Sequence, residues 1–240
     1  MEDKKILFIG NSYTYYNDMP NAIFTEIAKA AGYSFDVKTL TTGGWELIRV
    51  TDPADETGAL VDTELRDVKY DYVIIQEQST NPAADPERFR AGLSAIMERV
   101  RKNGATPLLY GTWGRESGNA FLEEMGWTNE SMTWKMASAY DAAAKEHGID
   151  VAQVGLAFFD VYKTYAGDAG LYVWDYSSHP TYTGSFLAAM TIFAKITHFD
   201  PTAIYFCGEL SEDTALILRK AAYRAVFETP TIPDEYVVNF

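Results

Sequence analysis

The chain has 240 residues, 47% of them hydrophobic and 22% charged, a balance that supports a sizeable core and marks no segment as disordered. Thirty-four acidic against twenty basic residues give a formal net charge of -14, a field that argues against nucleic acid, anionic membrane surfaces and polyanions as partners and favours neutral or cationic ligands. The single cysteine, Cys207, excludes an internal disulfide and a multi-cysteine metal site, and its setting in AIYFCGEL reads as plain burial. No apolar run approaches the roughly twenty residues of a membrane span, and the first strand begins almost at once. The expectation is a cytoplasmic protein, although a chain trimmed of an export signal would look identical.

In chain order, the first aliphatic run is KILFIG (5–10), a strand. A helical face follows in Ile23, Phe24, Ile27, Ala28 and Ala31, with a cap near Asp18 and a stop at Gly32. A more polar strand candidate, SFDVKTL (34–40), comes next, then the aliphatic YDYVIIQ (70–76). Phe89, Leu93, Ile96, Met97 and Val100 repeat the helical spacing before the strand TPLLYGT (106–112). Met132, Met136, Ala139, Tyr140 and Ala143 form another helical stripe before GIDVAQV (148–154), and helices over 181–196 and 211–227 close the chain. Uninterrupted aliphatic strands alternating with helices predict an α/β fold: a three-layer α/β/α sandwich on a parallel, five-stranded, doubly wound sheet, flavodoxin-like, in order 2-1-3-4-5. No repeat, low-complexity tract or linker interrupts it, so residues 1–240 read as a single domain.

In such a sheet, ligands bind beyond the carboxyl ends of the strands. The segments standing there are GNSYT, TTGGWEL, EQSTN and TWGRE, each polar or glycine-rich. Ser12, just past the first strand, reads either as a turn residue or as a nucleophile whose hydroxyl is exposed at the sheet rim, near backbone N–H groups able to hold an oxyanion. A serine nucleophile near neutral pH needs a base, and histidine is the leading candidate. Of three histidines, His147 and His198 each follow a helix and read as capping residues. His179 differs: WDYSSHPTYTG places it in a loop, with Pro180 behind it and Asp175 four residues ahead as a carboxylate able to orient the imidazole. The plainer alternative is a turn-capping aspartate beside a solvent-exposed histidine.

These blocks resemble the SGNH (GDSL-like) hydrolase superfamily. GNSYT is similar to its first block, with Asn11 for the usual aspartate; TTGGWEL to the second; and DYSSHPTYTG to the last, with one residue more between Asp175 and His179. The third block reads IIQEQSTNP, where an ungapped alignment puts Thr80 in place of the family's oxyanion-binding asparagine. Gln78 is the preferred substitute and Asn81 the alternative. The resemblance implies hydrolysis of a small ester, often an acetyl ester on a sugar, without metal or organic cofactor. It further implies that Ser12 attacks, that His179 moves the proton with Asp175 behind it, and that the N–H groups of Ser12 and Gly44 (or Gly43) act with Gln78 on the oxyanion. Asn11, Trp45, Asn81, Trp113 and Trp174 are candidate pocket residues, the tryptophans as faces for a sugar ring or flat acyl group or, equally, as core anchors. The expected partner is a small-molecule or saccharide ester; oligomeric state is not legible. Alternatives are an acyltransferase with the same site, an inactive carbohydrate-binding relative, and a flavodoxin-like binding module, against which the bulky tyrosines of SYTYYND argue.

Overall fold

In the computed structural model, which describes residues 3–165, 170–173 and 178–238, strand β1 (Lys4–Gly10) runs through the interior of the sheet. It pairs in parallel with β2 (Phe35–Thr41) on one side and β3 (Tyr72–Ile75) on the other. Strands β4 (Thr106–Gly111) and β5 (Asp150–Gln153) complete the order β2-β1-β3-β4-β5, the arrangement expected from the sequence. Side chains alternate across a strand, so Ile6 and Phe8 enter one core and Leu7 and Ile9 the other. Both faces being covered, all four are fully buried. That is why β1 reads as a continuous apolar run. Strand β2, at the edge, instead alternates between exposed and half-buried positions.

The helices follow the strands. Behind β1 come α1 (Ser12–Tyr15) and α2 (Thr25–Ala30), and behind β2 comes α3 (Glu56–Asp67). The short α4 (Asn81–Ala84) and long α5 (Pro86–Asn103) link β3 to β4. Next are α6 (Ala120–Met125) and α7 (Asn129–His147), then α8 (Val154–Thr164), α9 (Tyr182–Thr197) and α10 (Glu212–Phe227). Apolar faces of α2, α8, α9 and α10 cover the Ile6–Phe8 side, and those of α3, α5 and α7 the Leu7–Ile9 side.

Three details differ from the sequence pattern. The first helical segment starts at Ser12, capped by Asn11, and not near Asp18; Asn17 and Asp18 take left-handed conformations (φ 56° and 48°) that bend the chain into a wide helical turn over Met19–Phe24. The pattern also leaves α3 and α8 unmarked. Few α3 side chains are buried, so its apolar stripe is thin. Helix α8 begins directly where β5 ends, with no turn residues between them. Finally, Cys207 is half-exposed, not buried, and its thiol donates to Glu212 Oε2 at 2.6 Å.

Candidate active site

The aliphatic run of β1 stops at Gly10 because the space beside it is taken. A Cβ there would lie 2.6 Å from Gln76 Oε1 and 2.8 Å from Thr14 Oγ1. Gln76, fully buried one residue past β3, accepts from the Asn11 N–H at 2.9 Å and from the Thr14 hydroxyl at 2.9 Å. Its own amide donates to the Glu77 carbonyl. Asn11 is buried, accepting from the Tyr13 N–H at 3.2 Å and donating to the Trp45 carbonyl at 2.9 Å. It is therefore a cap and a bridge to the second block. These bonds present Ser12 at the sheet rim, half-buried, as the first residue of α1.

His179 meets Ser12 from the other end of the chain, its Nε2 lying 2.8 Å from Ser12 Oγ. Its ring stacks on Tyr16, with centroids 4.4 Å apart and planes 18° apart, and lies edge-on to Tyr13 at 5.6 Å. The backbone around it is tied down from several directions. The Trp113 indole donates to the Ser178 carbonyl at 3.0 Å, and the Val173 N–H to the His179 carbonyl at 3.0 Å. The Asn17 amide donates to the Pro180 carbonyl at 3.2 Å and to Ser185 Oγ at 2.8 Å. Burial, and after it the nearby Arg115 guanidinium, hold the imidazole pKa below its ordinary value, so the ring is neutral and able to accept a proton near pH 7.

A cleft of about 420 Å³ opens over this pair. Gly43, Gly44, Gln78, Ser79, Tyr15, Tyr16, Arg115 and Ser178 line it together with Ser12 and His179. Gly44 has φ 65°, a conformation that favours glycine. Among the described residues, neither the Ser12 N–H nor the Gly44 N–H has an acceptor. Gln78 Oε1 accepts from the Thr80 N–H (2.7 Å), the Thr80 hydroxyl (2.8 Å) and the Asn81 N–H (3.2 Å). With its oxygen committed to the loop, only the NH₂ group of Gln78 is left to donate elsewhere.

Several expected pocket residues are placed otherwise. Trp45 and Trp113 are fully buried. The Trp45 indole donates to Asp55 Oδ1 at 2.9 Å, and Trp113 is sandwiched between Tyr13 (4.6 Å, 7°) and Phe158 (4.0 Å, 2°). Neither offers a face to a ligand; burial of large apolar rings decides the matter. Asn81 stands off the cleft, its amide turned toward Glu77 Oε1 at 3.5 Å. Trp174 and Asp175 lie outside the described residues.

The sequence reading did not single out Gln76, Glu77, Tyr16 or Arg115. Gln76 and Glu77 carried a signal, being polar residues that directly extend an apolar strand. Glu77 is fully buried and accepts from the N–H groups of Gln78 (2.6 Å) and Leu47 (3.3 Å). Burial outweighs these bonds and pushes its pKa up to about 8, so it stands largely as a neutral acid beneath the third block. A larger cleft, of about 620 Å³, lies between α7 and the C-terminal segment. No histidine lines it, and its serine, Ser138, accepts the Val238 N–H at 2.7 Å. Among the described residues no group of three His, Cys, Asp or Glu side chains is placed to hold a metal ion, and no helix is long and apolar enough to cross a membrane.

No protein-family model matches the chain, and no curated protein does. Solved structures do. A protein from Slackia heliotrinireducens, assigned to the SGNH hydrolases, is 30% identical, with a TM-score of 0.68 over 81% of this chain and 100% of its own. A DUF4886 family protein from Bacteroides uniformis is 20% identical, with a TM-score of 0.82 over 98% of this chain and 99% of its own. An acetyl xylan esterase, AlAXEase, at 15% identity shares the fold, with a TM-score of 0.58 over 79% of this chain and 98% of its own. The match at 30% identity over 81% of the chain, on a sheet that brings the GNS serine to the late histidine, identifies the family: the chain belongs to the SGNH (GDSL-like) hydrolase superfamily.

Proposed function

We propose that this hydrolase is a serine esterase that cleaves small acyl esters, acetyl esters above all, through an acyl-enzyme on Ser12. The observation that carries the reading is the 2.8 Å contact between Ser12 Oγ and His179 Nε2 at the floor of an open cleft. In this mechanism the hydroxyl attacks the acyl carbon while His179 Nε2 takes its proton. The N–H groups of Ser12 and Gly44, with the Gln78 amide, receive the oxyanion. His179 then returns the proton to the departing alcohol, and water repeats the sequence in reverse roles to free the acid. Asp175 is the proposed third member, orienting the imidazole. A short acyl group is supported by the crowding of Tyr13, Tyr15 and Tyr16 around the serine. A carbohydrate alcohol is supported by the exposed ring of Tyr15 and by the fold shared with an acetyl xylan esterase.

The test is turnover of p-nitrophenyl acetate, butyrate and octanoate, beside acetylated xylose and glucosamine derivatives, by the wild-type protein and by Ser12→Ala. The acetate should be turned over fastest, and the variant should lose roughly three or more orders of magnitude. A serine-directed organophosphonate should add once per chain, at Ser12. Retention of more than a few per cent of turnover by the alanine variant, or an adduct on another residue, would move the nucleophile elsewhere.

A further inference from the structure

Arg115 stands on the cleft wall that Ser12 and His179 share, and its pairing sets it apart. Among the described residues, seven of the nine arginines (49, 66, 88, 90, 99, 219 and 224) pair with a carboxylate. Arg101 donates to the His147 carbonyl. Among the described residues Arg115 has no carboxylate partner, in a chain where acids outnumber bases thirty-four to twenty. Its Nη1 donates to the neutral Asn119 Oδ1 at 3.2 Å, and its Nε is buried without an acceptor. A buried, unanswered guanidinium donor is costly unless something answers it.

The side chain is held ready. Its guanidinium carbon lies 4.6 Å from the centre of the Phe121 ring, a cation–π contact that restrains the side chain. Its backbone is clamped to α7: Asn129 Nδ2 donates to the Arg115 carbonyl at 2.8 Å. The preceding Gly114 packs so closely that a Cβ would lie 2.5 Å from the Asn129 carbonyl oxygen and 2.5 Å from Thr133 Oγ1. A restrained, half-buried fork on the wall of the cleft that holds Ser12 and His179 matches a planar carboxylate.

We infer that Arg115 forms an anion subsite, and that the preferred substrate of this esterase is an ester carrying a single carboxylate within reach of it, on the acyl chain or on the alcohol. A monoanion fits better than a phosphate dianion, which the net charge of -14 would repel more strongly. There is also a catalytic reason. Arg115 disfavours the protonated form of His179, yet His179 must become an imidazolium during acyl transfer. A substrate carboxylate on Arg115 screens that opposition, so turnover rises with the substrate that fills the subsite. This inference rests on the esterase reading given above.

The experiment compares matched esters, each normalised to its rate with hydroxide. For charge on the alcohol, 4-acetoxybenzoate is set against its methyl ester; for charge on the acyl chain, mono-p-nitrophenyl glutarate is set against p-nitrophenyl pentanoate. In one arm the wild type should favour the carboxylate by roughly tenfold or more in kcat/KM. Arg115→Gln should bring that ratio to about one, and Arg115→Lys should keep part of it. Benzoate, but not benzamide, should compete with the neutral esters in the wild type, an observation that stands even if the variants do not fold. A ratio at or below one in both arms, while neutral esters are hydrolysed, overturns the subsite alone, as does a ratio untouched by Arg115→Gln or an absence of benzoate inhibition. Failure to hydrolyse any of the four esters overturns the esterase reading and the subsite with it.

Discussion

Ser12 and His179 are held by different kinds of structure. The serine loop is tied from beneath by Gln76, a fully buried amide that meets both the Asn11 N–H and the Thr14 hydroxyl in the layer of the sheet itself. The histidine segment is tied from the side, by the Trp113 indole, by the Asn17 amide and by the ring of Tyr16. Support for the serine is therefore part of the core, whereas much of the support for the histidine is at the rim. Damage to the first should appear as lost stability together with lost activity, and damage to the second mainly as lost activity.

The largest expected effect is at Gln76. Gln76→Ala strands two donors and opens a cavity, and should cost about 2–4 kcal/mol in urea unfolding. A cost below about 1 kcal/mol would erase the distinction just drawn. Next comes Gln78→Ala, which removes the side-chain amide from the cleft and, if that amide receives the oxyanion as proposed, should lower kcat roughly a hundredfold with little change in KM, a loss of transition-state stabilisation alone. Asn81→Ala should do far less, because that amide faces Glu77; the reverse ranking would hand the role to Asn81. Asn17→Gly is the cleanest probe of the rim. Glycine accepts the left-handed backbone at this position while deleting the bonds to Pro180 and Ser185, so kcat should fall about tenfold with stability within about 1 kcal/mol of wild type. A loss of stability matching that of Gln76→Ala would show the two supports to be one. The smallest effect is in pH dependence. With its pKa depressed, His179 stays neutral to lower pH, so the acid limb of kcat/KM should fall below the ordinary 6.5. Arg115→Gln removes an opposing charge, which raises the imidazole pKa and should move that limb upward; no movement would show that burial alone sets it.

The strand order could be read from the sequence because buried parallel strands announce themselves as unbroken aliphatic runs and alternate with helices. The meeting of Ser12 with His179 could be anticipated because the strand ends of such a sheet are the place to look and only three histidines compete. What escaped notice depends on distance in space. Trp45 and Trp113 occupy strand-end positions, but whether a large ring there faces solvent or core is decided by packing against residues such as Asp55, Tyr13 and Phe158. Helix α8 hides because its apolar run continues that of β5 without punctuation. The role of Gln76 depends on its meeting a loop sixty-five residues earlier, which no local spacing reports.

The separation of 167 residues between Ser12 and His179 also sets an order in time. Chains emerge from the ribosome N-terminus first, and a domain folds as a unit. Residues 4–76 already contain β1, both of its strand neighbours and Gln76, so every group that ties the serine loop from beneath has been made early in synthesis. His179 arrives only when the segment before α9 has been made and has docked across the rim. Until then the nascent chain carries Ser12 without the imidazole that comes to lie beside it, and under the proposed mechanism it should be inert toward esters and toward phosphonate probes alike. Labelling by such a probe during synthesis would thus register the moment at which the last long-range contact closes.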